Sequence, residues 1–124
     1  MNTKEFLSRY HAGQRDFKDL NLIAANLRNL NLSGVNLTGA NLTKANLTRT
    51  NLSRANLTNA ILTGTNLTET NLTRANLTNA NLSDTNLKDA NLTQAHLRGA
   101  VMPEGANSMV SQVQSSLIED SIAY

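Results

Sequence analysis

Between Arg15 and Glu104 an apolar residue returns at every fifth position, from Phe17, Leu22 and Leu27 through to Leu97 and Met102. That makes eighteen centres in register without an insertion. Two residues before most centres stands a small residue, as at Ala25, Ala40, Ala45, Thr50 and Ala55, and one residue before it stands Asn. The two positions after each centre are mostly polar. A period of five is neither the 2 of a strand nor the 3.6 of a helix, so an ordinary sheet or helix would scatter the leucines over every face. A solenoid in which each unit forms one side of a turn points all of them inward.

The units ANLTK at 40–44 and ANLTN at 55–59 have the form A(N/D)LXX, and the chain resembles the pentapeptide-repeat proteins over about 90 residues. The resemblance implies an all-β fold, a right-handed quadrilateral parallel β-helix with four units, or twenty residues, to a coil. It therefore implies about four and a half coils, roughly 22 Å long at a strand spacing of about 4.8 Å. In such a coil each Leu stacks on the Leu twenty residues away, so that Leu37 lies on Leu57, then Leu77 and Leu97. Burying each contributes about 1.5–3 kcal/mol. The residue two before the centre also turns inward, near a corner where Ala, Thr or Ser fits. Asn is expected to bond backbone at the corner, because Asn closes local turns. Its amide is also expected to pair with the amides stacked above and below it.

Both ends depart from the repeat. Asn2 and Glu5 stand at capping-box spacing, Gly13 suits a helix stop, and Phe6, Leu7 and Tyr10 fall on one face between them. Leu20, Leu30 and Val35 are larger than the usual small residue and suit the end of a core lying under that helix. The lead-in FLSRYHAGQRDF looks like the N-terminal segment of cyanobacterial members of the family. After Met102-Pro103-Glu104-Gly105, residues Val110, Val113, Leu117 and Tyr124 form one helical stripe, with Ile118 and Ile122 beside it. This predicts a second short cap on the last coil, or a contact for a homodimer or a partner. The expected organisation is an N-terminal helical cap over 1–14, a β-helix over 15–104 and a C-terminal cap or tail over 105–124.

Composition narrows the chemistry. With 124 residues the chain is one domain. It has no cysteine, which excludes disulfides and thiolate chemistry and fits a reducing, cytoplasmic setting. No apolar run approaches the roughly 18 residues of a membrane span, and the N-terminus has no apolar signal core. Asn-Leu-Thr and Asn-Leu-Ser match a glycosylation acceptor, yet a triplet every five residues is a by-product of the repeat. Aromatic residues are confined to Phe6, Tyr10, Phe17 and Tyr124, so stacking platforms for bases are missing.

The outward positions form columns spaced by twenty. Lys44, Arg49, Arg54 and Arg74 make a basic band around the middle coils, while Glu69, Asp84, Asp89 and Glu104 make the later coils acidic on one side. Arg54 and Arg74 stack at about 4.8 Å between backbones, a like-charge pair that either splays into solvent as an ordinary surface or serves binding. The Asn column is broken at Ile61, His96 and Val101. Ile61 is either a neutral replacement or the centre of a contact patch, and His96 is expected to make the same local bond as Asn.

No catalytic constellation is legible. His11 and His96 have no companions at metal-ligand or triad spacing, the many hydroxyls have no base to activate them, and no phosphate-cradling loop or other cofactor site occurs. The expectation is a non-catalytic protein-binding or regulatory scaffold, with Lys44, Arg49, Arg54, Arg74 and Ile61 as candidate contacts for another protein. Some bacterial relatives are thought to bind DNA gyrase by imitating the charge of duplex DNA. That use needs an acidic surface, whereas residues 15–104 hold nine Lys/Arg against six Asp/Glu. Direct nucleic-acid binding through so few cations is weak and salt-sensitive. Ice binding would concentrate Thr on one face, but Thr38, Thr58 and Thr78 lie on one and Thr48 and Thr68 on another.

Overall fold

A computed structural model describes residues 1–105. One helix, α1 (Thr3–His11), precedes a right-handed quadrilateral β-helix. Single-residue parallel bridges join each Asn position to the one twenty residues on, from Asp16↔Asn36 to Asn81↔Val101. The register of twenty therefore holds without slip along the stack. The stripe from Val110 to Tyr124 lies outside the described residues.

The unit Asn41–Ala45 shows how five residues close one side of the square. A backbone leaves one N–H per residue to satisfy. Asn41 N–H donates to Leu20 O of the preceding coil at 2.9 Å, and Leu42 and Lys44 donate to Ile61 O and Thr63 O of the next coil at 2.7 and 2.9 Å. Ala45 N–H closes a turn onto Leu42 O at 2.9 Å. The fifth, Thr43 N–H, points at no backbone acceptor and is taken by Asn41 Oδ1 at 3.1 Å. Thr43 Oγ1 donates to the same oxygen at 2.6 Å. Asn is thus the acceptor for the one N–H that neither the stack nor the turn can use. The expected amide-to-amide pairing between coils does not occur among the described residues, because the Asn oxygen is held locally.

The tight turn has a second requirement. The second residue after every centre from Asp19 to Gly99 has φ between 55° and 72°, the left-handed region. Gly34, Gly39, Gly64 and Gly99 adopt it without a Cβ penalty, and Asn and Asp visit it more readily than other residues. Arg54, Arg74, Lys44 and Arg49 occupy it as well.

The leucine centres from Leu22 to Leu97 are buried, together with the alanines from Ala40 to Ala95 at the small position. Thr50, Thr65 and Thr70 replace Ala there and are also buried. Their hydroxyls donate to the carbonyls of Leu27, Leu42 and Leu47 in the preceding coil, which removes the penalty of burying a polar group. Leu20, Leu30 and Val35 widen the first coil at the same position, Val35 fully buried and the two leucines partly so.

Helix α1 lies against this first coil. Phe6 is buried and meets Phe17 edge-on, with ring centroids 4.7 Å apart. Tyr10 donates its hydroxyl to Ser33 O at 2.7 Å, and the Arg15 guanidinium covers its ring at 3.7 Å. At the helix start Asn2 Oδ1 accepts Glu5 N–H at 2.8 Å. Only half of the expected capping box forms, because the Glu5 carboxylate accepts from Arg9 instead. Gly13, at φ 105°, ends the helix as its position suggested.

Candidate partner-binding faces

Each face of the square presents the residue before each centre and the two after it, repeated every twenty residues. The sequence-derived candidates fall on three different faces.

The ion-pair face, built on Leu27, Leu47, Leu67 and Leu87, carries Asn29, Arg49, Glu69 and Asp89 in its left-handed column. Arg49 Nε donates to Asn29 Oδ1 at 3.2 Å, and its Nη1 meets Glu69 Oε2 at 3.1 Å. Arg49 is thereby joined along its own column to the coil above and the coil below. Its charge is compensated within the molecule, so it contributes least to a basic surface.

The arginine face, built on Leu32, Leu52, Leu72 and Leu92, holds Arg54 and Arg74. Arg74 turns toward the later coils and donates Nε to Gln94 Oε1 at 2.7 Å, away from Arg54. Arg54 is exposed, and its side chain makes no hydrogen bond or ion pair among the described residues. Ser53, Arg54, Asn71, Thr73, Arg74, Thr93 and Gln94 line a depression of about 410 Å³. The Thr73 and Thr93 hydroxyls are spent on Asn71 and Asn91. The surface therefore offers the guanidinium groups, the Ser53 hydroxyl and the side-chain amides of Asn71 and Gln94 as donors, a combination suited to carboxylates.

The isoleucine face, built on Leu22, Leu42, Leu62, Leu82 and Met102, carries both Lys44 and Ile61. Ile61 keeps the backbone of its Asn-bearing neighbours, with its N–H on Ala40 O and its carbonyl accepting from Leu42. What it loses is the side-chain oxygen. Thr63 N–H, the counterpart of Thr43 N–H, has no acceptor among the described residues. His96, on the remaining face of no net charge, does not reproduce the Asn bond either, and Arg98 N–H has no acceptor among the described residues. At Val101 the loss is harmless, because the residue two positions on is Pro103, which has no N–H to satisfy.

Among the described residues, no three of His, Asp and Glu come together in a group that would hold a metal ion. No helix among them is long and apolar enough to cross a membrane.

A stacked square of turns, apolar inside and most variable in its outward columns, defines a class, the right-handed quadrilateral β-helix proteins. Within that class the chain belongs to the pentapeptide repeat family, whose model matches residues 16–54, 50–89 and 85–104 in eight copies. The structure is similar to the pentapeptide repeat protein alr5209 of Nostoc Pcc 7120, with TM-score 0.82 and 36% identity over 84% of this chain and 87% of that one. It is similar also to Rfr23 of Cyanothece 51142, with TM-score 0.63 and 30% identity over 82% and 95% of the two chains. A pentapeptide repeat protein of the Arabidopsis thaliana thylakoid lumen matches with TM-score 0.59 and 30% identity over 80% and 72%. No curated protein matches the chain.

Proposed function

We propose that this protein is a non-catalytic protein-binding scaffold, regulatory in role and cytoplasmic, whose arginine face receives an acidic segment of a partner protein. The observation that carries the reading is Arg54, a cation whose guanidinium has no partner among the described residues, standing beside Arg74 over a donor-lined depression. Both arginines occupy left-handed turn positions, where a residue with a Cβ is disfavoured by about 1–2 kcal/mol. Gly, Asn or Asp at these two positions would suit the backbone better and would remove the like-charge stack. A rigid face also binds with little ordering cost, since the backbone carrying it is already locked coil to coil.

The test is titration of the isotope-labelled protein with a glutamate-rich peptide, followed by amide shifts. The reading expects changes at Ser53, Arg54, Thr73, Arg74 and Gln94, abolished by Arg54→Ala/Arg74→Ala and preserved in Arg49→Ala. A duplex DNA of matched charge serves as the competitor. Shifts spread evenly over all faces, or preference for the duplex, would overturn it.

A further inference from the structure

The described residues include three large aliphatic side chains exposed on the repeat, Ile23 at 51%, Ile61 at 41% and Val101 at 53%. All three lie on the isoleucine face. The other three faces have only polar, charged or glycine residues in the same outward columns. Going along the stack, this face reads Ile23 and Ala24 in the first coil, Lys44 in the second, Ile61 and Gly64 in the third, Asp84 in the fourth, and Val101, Pro103 and Glu104 in the last.

The charges on this face are arranged differently from those on its neighbour. Arg49 and Glu69 are one coil apart and pair directly. Lys44 and Asp84 stand in one column but two coils apart, about 10 Å along the stack, with Gly64 between them. Neither they nor Glu104 form an ion pair among the described residues. The Lys44 stem lies toward the middle of the face, where a Cβ built on Gly64 would come 3.3 Å from its Cγ.

We infer that the isoleucine face is the contact surface for a second copy of this chain, packed antiparallel about a two-fold axis through the coil of Ile61 and Gly64. Such an axis lies in the contact plane, perpendicular to the stack, and returns each column to itself with its coil order reversed. Lys44 then faces Asp84 of the second copy, and Asp84 faces its Lys44. Ile61 meets Ile61 and Ile23 meets Pro103, while Val101 faces Asn21 in its own column, one column from Ile23. Lys44 and Asp84, which do not pair within one molecule, pair across two, and Ile61 and Ile23 meet apolar partners in the same register. Thr63, whose N–H is open, lies beside the axis, where the other Thr63 hydroxyl offers an acceptor. The occupant is fixed by this self-complementarity: one rotation satisfies the charges and the aliphatic groups together. The strip is narrow and about 22 Å long, so the dimer belongs with small, transient interfaces.

Sedimentation of the full chain over about 10 µM to 1 mM tests this. The wild type is expected to self-associate within that range. Lys44→Asp alone and Asp84→Lys alone each bring like charges together and weaken association by about tenfold or more. Mixed in equal amounts, the two variants restore it to within about threefold of wild type, because each supplies the charge that the other lacks. Ile61→Asn weakens it, and Lys88→Asp on the ion-pair face leaves it unchanged. A wild type monomeric to about 1 mM overturns the inference, as does a dimer indifferent to Lys44→Asp or a mixture that does not recover. Circular dichroism confirms that each variant is folded, and the mixing experiment cannot be mimicked by a folding defect.

Discussion

The units Asn41–Ala45 and 61–65 lie one above the other on the same face and share a backbone path, a buried Leu and a closed turn. They differ in one atom that matters: the first has an oxygen for the N–H two residues on, and the second has none. The comparison separates two kinds of demand on the sequence. Inside and at the corners the architecture dictates the residue. On the outward columns it permits several residues, and what is chosen there reports on contacts with other molecules.

The largest effect expected from breaking the architectural side is at a centre. Leu57→Ala removes a fully buried side chain between Leu37 and Leu77 and should cost about 2–5 kcal/mol in chemical denaturation. Next comes the corner. Asn56→Ala leaves Thr58 N–H and its hydroxyl without the oxygen they share, and should cost about 1–2 kcal/mol. The turn conformation is smaller and opposite in sign. Ala24→Gly at φ 57° relieves a left-handed Cβ and should stabilise by up to about 1 kcal/mol, the gain reduced by glycine's greater freedom in the unfolded chain. The smallest change belongs to the outward side. Arg54→Ala, exposed and unpaired, should move stability by no more than about 0.5 kcal/mol, while abolishing the peptide-induced shifts on the arginine face. Stability losses at Arg54 as large as those at Asn56 would erase the distinction.

Much of this was legible before the structure. A five-residue period with Leu at the centre specifies which side chains point inward, and the spacing of twenty carried by the family resemblance places Leu37 on Leu57 as observed. Phe6 and Tyr10, against the enlarged first coil, were readable from helical spacing together with Leu20, Leu30 and Val35. The service that each Asn performs was not, because a period says which residues stack and not which N–H lacks an acceptor. Stacking alone suggested amide pairing, and the accounting of all five N–H groups shows a local bond instead. A signal for the turn was present: Gly, Asn and Asp hold ten of the seventeen left-handed positions. The pairing of Val101 with Pro103 was also present, a lost acceptor matched by a lost donor.

The candidate contacts were legible as columns on faces and not as paired or unpaired side chains. Lys44, Arg49, Arg54 and Arg74 read as a band wrapped around the middle coils over three faces, and the structure adds which of them are paired. Arg49 is tied up with Glu69 and Asn29, whereas Arg54 is free of such partners among the described residues. Column reading also separated Ile61 from Ile23, because the two occupy different columns of one face. Only assembling whole faces brings them together with Val101.

The most direct test of the division between architecture and surface is the denaturation midpoint of Ile61→Asn, measured at a concentration low enough to keep the protein monomeric. The substitution supplies Thr63 N–H with the oxygen that Thr43 already has, on an exposed side chain whose removal leaves no cavity. The account predicts a gain of about 0.5–1.5 kcal/mol, with Ile61 held at this place by its surface and not by the fold. A midpoint unchanged or lowered would contradict the role assigned to the Asn column, and with it the reading of Ile61 as a residue kept for contact.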